Sequence, residues 1–214
     1  MDTVLLTNWE IAILMKRGFD VFFSLPVLVA LFPLFLLIIL LVKGTSKGPV
    51  FFFSERIGKS GKKIYCTKFR TMQIGSEDRL KTLLLEPSFN EEWQQYHKLK
   101  NDPRITKIGH FLRKTSLDEI PQFLDVIRGD LSIVGPRPLS ASEIEKFSGQ
   151  KIYTMLSVKP GITGLSQTQG RNHLSLEQRI ELEQSYVLQK PSFYLDLVII
   201  IKTIPQIFTC KGAY

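Results

Sequence analysis

The sequence predicts a membrane-associated α+β protein: a proline-broken N-terminal helix hairpin that enters the bilayer, a small β-hairpin, several short helices, and helices at the membrane surface. Three observations carry this. Residues 21–42 read VFFSLPVLVALFPLFLLIILLV with no charge; residues 50–72 carry aromatic and β-branched runs on both sides of a Gly/Lys/Ser cluster; and Leu117, Ile120, Phe123, Leu124 and Ile127 recur at helical spacing. The 214 residues suffice for one sizeable core without disulfides, and Cys66 and Cys210 lack the paired spacing of a zinc site, so both read as inert free thiols in a reducing compartment. The formal net charge of +8 asks for an anionic partner without distinguishing nucleic acid, anionic lipid or a phosphorylated substrate.

The apolar run, as one helix, would extend roughly 33 Å, about the thickness of a hydrocarbon core. Pro26 and Pro33 each remove an intrahelical hydrogen bond and predict a sharp bend. Broken at Pro33, each arm is too short to span, and the segment enters and returns on one side; a kinked spanning helix is the alternative. Lys16 and Arg17 before the run, and Lys43, Lys47, Arg56, Lys59, Lys62 and Lys63 after it, place both flanks on the cytoplasmic side. Upstream, Thr7-Asn8-Trp9-Glu10 has capping-box spacing, with Trp9 as an interfacial anchor. Residues 1–45 thus form a membrane-embedded element and 46–214 a cytoplasmic part.

After Gly48-Pro49 the pattern predicts a hairpin turning near Ser60-Gly61, with Lys68 and Arg70 on one face of its second strand. GKSGKK has Phe53 where a phosphate-binding loop needs glycine, so it is not one. Residues 76–100 predict two polar helices broken at Glu86-Pro87-Ser88, NDPRITKIG a turn, and Ile108, Phe111 and Leu112 a short helix.

The next helix runs from about 117 to 128. Starting it at Ser116 as a capping box would put Pro121 at the fifth helical position; starting it at Asp118 places Pro121 in the first turn, where no donor is required, and leaves two carboxylates at a helix N-terminus. GDLSIVGPRP and KPGITG read as constrained turn chemistry carrying Arg137 and Lys159, followed by Arg171 in GRNH. Residues 193–208, FYLDLVIIIKTIPQIF, predict an interfacial or core helix.

The ordered set KRGFD, the proline-broken apolar run, GPVFFF, KFRTM, DPRIT, LRKTSLDEIPQ, RGDLSIVGPRP, KPGITG and GRN resembles the bacterial sugar transferase family, the monotopic phosphoglycosyl transferases, over residues 16 to about 203. The resemblance implies transfer of a sugar phosphate from a UDP-sugar to polyprenyl (undecaprenyl) phosphate with release of UMP, at the cytoplasmic face of the bacterial inner membrane, in the first membrane step of glycoconjugate or exopolysaccharide assembly. It implies Asp118 as the nucleophile of a phosphosugar-aspartate intermediate and Mg²⁺ as cofactor, held by Asp118 and Glu119. Glu119 either helps hold the metal or manages a proton on the lipid phosphate. Arg113 and Arg137 are the leading phosphate ligands because a guanidinium meets two oxygens at once; Lys68, Arg70 and Arg171 are further candidates for the nucleotide sugar. Asp130 reads as structural, orienting an arginine. The resemblance leaves room for a homodimer or for contacts with downstream glycosyltransferases. One departure stands out: the family often has Ser-Pro at the helix break, whereas Phe32 precedes Pro33 here and the nearest serine is Ser24.

Two rivals remain. A membrane-tethered module binding nucleic acid or anionic lipid through residues 43–70 needs no role for Asp118, and no nucleic-acid motif is present. A non-enzymatic subunit of an envelope polysaccharide complex would not need the intact Asp118-Glu119 pair.

Overall fold

A computed structural model describes residues 8–96, 99–146, 149–169, 174–189 and 192–209. Thr7 of the predicted capping box, Arg171 and Cys210 lie outside them.

Helix α1, Asn8–Thr45, is one continuous helix through Pro26 and Pro33. The predicted break at Pro33 therefore does not divide the segment into two arms. The reason lies in how the helix is supported. Buried or half-buried positions recur at Asp20, Ser24, Val27, Leu31, Phe35, Ile38 and Val42, a helical-period stripe that rests on the rest of the protein, while both prolines are exposed on the outer side. Proline there opens the outer wall of the helix and spares the packed face. The Ser24 hydroxyl is buried without a hydrogen-bond partner, so it does not substitute for the Ser-Pro break. The outer stripe, including Phe22, Val29, Phe32 and Leu40, is exposed and apolar, and an 18-residue window within Ile11–Thr45 has a mean hydropathy of 3.1.

The hairpin forms as predicted. Strands β1, Phe51–Ile57, and β2, Lys63–Phe69, pair antiparallel with Phe52 opposite Lys68 and Phe53 opposite Thr67. Ser60 and Gly61 turn the chain at φ 58° and 78°. Helices α2, Ser76–Leu83, and α3, Pro87–Tyr96, follow, the proline taking the first helical position, where no N–H is missed. Helix α4, Lys107–Thr115, is capped by Thr106, whose hydroxyl accepts from the Gly109 N–H at 3.0 Å.

The predicted helix from 117 to 128 is two pieces. Leu117–Glu119 is a 3₁₀ turn, and helix α5 is Gln122–Arg128. Pro121 has no N–H to give to the preceding turn, so the chain passes it on three-residue bonds, Ile120 N–H to Leu117 O at 3.3 Å and Phe123 N–H to Ile120 O at 3.2 Å. The carboxylates consequently sit one turn ahead of α5.

GDLSIVGPRP and KPGITG, read as turns, contain a parallel strand pair: β3, Ser132–Val134, and β4, Gly161–Thr163. Glycine permits it, since a Cβ on Gly161 would stand 2.1 Å from the Gly135 nitrogen. Short helices α6, Ala141–Lys146, α7, Gln150–Met155, and α8, Leu165–Thr168, lead to α9, Leu176–Leu188, and α10, Phe193–Thr209. α10 buries Asp196, Ile199 and Ile200 and exposes Phe193, Tyr194, Leu197, Ile201 and Ile204, so it is a core helix on one face and apolar outward on the other. Phe193 meets Phe19 of α1 edge-to-face at 5.2 Å, which makes the exposed stripes of α1 and α10 neighbours.

Both halves of α1 are tied to the same body. Phe19 and Phe23 pack on the cluster of Ile64, Cys66, Val126, Leu131, Ile133 and Tyr186; Leu31, Phe35, Ile38 and Val42 pack with Phe69, Leu112 and Ile120. The KRGFD stretch adds polar ties. Lys16 pairs with Asp196, which also accepts from the Tyr186 hydroxyl at 2.6 Å. Arg17 donates to the carbonyls of Val126 and Ile127, the latter at 2.7 Å, capping the end of α5, and Asp20 accepts from Ser132 Oγ and the Ile133 N–H at 3.0 Å each.

Candidate active site

The two carboxylates are held by their apolar neighbours. Leu117 and Ile120, either side of Asp118-Glu119, pack into the cluster that Ile38 and Val42 of α1 share with Phe69 and Leu112. Ser116 enters the turn in the left-handed region, φ 57°, which reverses the chain after α4. The dyad is thereby fixed on the core beside the second half of the apolar helix.

Asp118 is 8% exposed, and burial together with the neighbouring Glu119 charge pushes its carboxyl up to about 6; the cations of Lys68 and Arg113 pull the other way. Glu119 is paired with Lys68 Nζ at 2.6 Å. Arg113, at the end of α4, donates from Nε to Thr71 Oγ1 at 2.9 Å, and burial lowers its pKa against the pull of Asp118 and Asp102. Phe52, half exposed, stands opposite Lys68 on the same face of the hairpin.

β2 reaches the site along its free edge. Asp125 of α5, fully buried, accepts from the Thr67 N–H at 2.6 Å and from Thr67 Oγ1 at 2.7 Å, so a side chain closes the edge of the strand and fixes Lys68 relative to the dyad. Arg128 completes this set, pairing with Asp125 and, at 3.6 Å, with Asp130. Asp130 thus orients an arginine, as its sequence context suggests.

Of the sequence candidates, Asp118, Glu119, Lys68 and Arg113 come together, whereas Lys68 and Arg70 take different partners. β2 ends at Phe69, and Arg70 turns to the end of α1, donating to Ser46 O at 2.9 Å and Ser46 Oγ at 2.7 Å. Arg137 sits among Glu143, Arg179 and Glu183, whose charges act on one another. Arg171 is outside the described residues. Sequence reasoning passed over Thr71, which holds Arg113, Asp125, which holds β2, and Asp102, which grips buried Arg104 through Nε at 2.8 Å and Nη2 at 2.6 Å. Both acids were visible in DPRIT and PQFLDV; the local pairing of Asp102 with Arg104 could have been read there, the distant partner of Asp125 could not.

A cleft of about 490 Å³ lined by Phe53, Lys63, Tyr65, Arg128 and Asp130 opens at the far end of β2. Cys66 is buried, and burial pushes its thiol up to about 11, in keeping with an inert role.

Residues 11–210, which include this buried, charge-flanked carboxylate, match a family model described as bacterial sugar transferase. The chain belongs to the bacterial sugar transferase family. Within that family it is 44% identical over 200 residues to the exopolysaccharide production protein ExoY of Rhizobium meliloti (strain 1021), covering 93% of this chain and 88% of that protein. It is 42% identical over 201 residues to the UDP-galactose-lipid carrier transferase of Erwinia amylovora, covering 94% of this chain. It is 38% identical over 208 residues to the UDP-glucose:undecaprenyl-phosphate glucose-1-phosphate transferase of Escherichia coli (strain K12), again covering 94% of this chain. This bacterial sugar transferase spans 42% of the length of each of the latter two.

Proposed function

We propose that the protein transfers a sugar 1-phosphate from a UDP-sugar to polyprenyl phosphate and releases UMP, through a covalent phosphosugar on Asp118, as the first membrane step of a glycoconjugate or exopolysaccharide pathway. The observation that carries this reading is Asp118 itself: a buried carboxylate, ionised above about pH 6, flanked by Glu119, Lys68 and Arg113. A carboxylate attacking a pyrophosphate must approach negative charge, and two cations acting on Asp118 support this reading because they offset that charge.

In the first step an oxygen of Asp118 bonds to the sugar-linked phosphorus while the bond to the bridging oxygen breaks, and that oxygen leaves with its electron pair as part of UMP. In the second, an oxygen of the lipid phosphate bonds to the same phosphorus and the Asp118 carboxylate is restored. Arg113 and Lys68 bind and orient the phosphates. Glu119 keeps Lys68 in place and, with Asp118, offers two oxygens to a divalent ion. Among the described residues no group of three or more His, Cys, Asp or Glu gathers into a metal cage. A two-carboxylate donor set fits Mg²⁺, which takes few protein oxygens and shares its shell with water and phosphates. Bound there, Mg²⁺ supplies charge neutralisation for the pyrophosphate. The cleft beside Phe53, Tyr65 and Arg128 gives the nucleotide end room, with Tyr65 three residues or about 10 Å along β2 from Lys68.

A one-sided seating in the cytoplasmic leaflet, with α1 as one unbroken helix, is part of this reading. It is supported by the attachment of both halves of α1 to one body, by the basic residues at both flanks, and by the adjoining apolar stripes of α1 and α10. The reaction is tested by following UMP release from a panel of UDP-sugars with Mg²⁺ and undecaprenyl phosphate, using membranes that contain the protein. Release with one donor, abolished by Asp118→Asn, is the expected result; full activity of that variant would sink the nucleophile assignment.

A further inference from the structure

We infer that Arg70, under the 46–48 loop at the end of α1, receives the phosphate of the lipid acceptor; the inference rests on the transferase reading above and names the substrate this arginine serves. Arg70 is 7% exposed. Its Nη2 is used by Ser46, but Nε and Nη1 are buried with no acceptor, and among the described residues no carboxylate stands within ion-pair distance. The contrast is with Arg104, equally buried, which grips Asp102 through two nitrogens. Buried guanidinium donors are almost always satisfied, so two that are not mark a place for an oxygen-rich anion.

The surroundings say which anion. The uncharged run of α1 ends at Val42, and Ser46 lies one turn, about 6 Å, beyond it. Lys43 reaches the Gly48 carbonyl at 3.4 Å, and Lys47 is exposed beside it, so three cations gather where the helix leaves its apolar stretch. A phosphate carried on a hydrocarbon chain sits at that depth. Lys68, two residues back and within about 7 Å along the backbone, pairs with Glu119, and Thr71, the next residue, holds Arg113. Residues 68–71 therefore run from the dyad to the end of the membrane helix.

The roof over the guanidinium is thin. Gly48, φ 115°, lies so close that a Cβ there would stand 2.2 Å from Arg70 Nη1 and 2.5 Å from Cδ1 of Ile74, which is itself 64% exposed.

The test uses the full chain in nanodiscs with the UDP-sugar it accepts. Arg70→Gln and Gly48→Ala each raise KM for undecaprenyl phosphate by about tenfold or more, while the UMP burst seen without acceptor and the KM for the donor stay as in the unsubstituted protein. Arg70→Lys, keeping the charge, gives an intermediate acceptor KM. An Asp118→Asn protein, unable to turn over, still shifts the ³¹P resonance of a short-chain polyprenyl phosphate, and the added Arg70→Gln removes that shift. Loss of the burst in step with turnover, an unchanged acceptor KM, or a defect seen only with phosphatidylglycerol and not with phosphatidylcholine would overturn the assignment. If the unsubstituted protein shows no burst, the covalent reading fails while the ³¹P titration still decides the Arg70 site.

Discussion

Lys68 Nζ lies 2.6 Å from Glu119 Oε1 while its charge also lowers the pKa of Asp118 one residue away, so a single ammonium serves both carboxylates. Replacing it with methionine removes the stabilising charge and leaves two adjacent carboxylates to repel each other. Turnover of Lys68→Met falls roughly 100-fold at neutral pH, a size typical of losing one preorganised electrostatic contact. The rising limb of its pH–rate profile moves above the position near 6 expected for the unsubstituted protein.

Asp118 also has a stability signature. Its folded pKa, about 6, is above the ordinary 3.8, so between these values the native state holds more proton than the unfolded chain and stability declines as pH rises. Asp118→Asn keeps the shape and removes that decline. The variant melts several degrees above the unsubstituted protein at pH 7.5, and the gap closes toward pH 4. Thermal melts across that range would refute the assigned environment if the two proteins melted in parallel.

Arg17 ties the apolar helix to the helix that follows the dyad. It donates to the last-turn carbonyls of Val126 and Ile127, where a cation is favoured. Arg17→Ala therefore costs about 1–3 kcal/mol of stability, the range for hydrogen bonds from a charged group. Arg17→Lys keeps the flanking charge but cannot fork onto two carbonyls, and restores only part of the loss in denaturant unfolding.

One-sided seating has a direct topological consequence. With native cysteines replaced, Leu5→Cys and Lys47→Cys both resist an impermeant maleimide added outside intact cells, and both label after permeabilisation. Labelling of one and not the other from outside would establish a spanning helix.

The elements that could be read in the sequence are those whose cause is local. Aromatic runs around Ser60-Gly61 specify the hairpin, Pro87 separates α2 from α3, and the absence of charge from Val21 to Val42 marks the long apolar helix. What escaped depends on distant partners. β3 and β4 pair across a long connection through backbone contact at Gly135 and Gly161, which no periodicity signals. Pro26 and Pro33 predict a broken helix from local sterics, but a continuous packed stripe from Asp20 to Val42 supports one helix, a tertiary effect. At the site, the Asp118-Glu119 pair and its cations were legible, yet the start of the helix was misplaced because Pro121 permits a 3₁₀ approach. That Arg70 engages Ser46 rather than the carboxylate pair depends on where the distant end of α1 lies, which no local pattern signals.

The most direct test is the mass of the protein after incubation with its UDP-sugar and Mg²⁺ and without polyprenyl phosphate. The account predicts an adduct equal to one sugar phosphate, mapped to the peptide containing Asp118, formed with one equivalent of UMP, discharged by undecaprenyl phosphate and absent from Asp118→Asn. An adduct that persists in Asp118→Asn, or turnover in which UMP appears only when the lipid is present and no adduct forms, would contradict it.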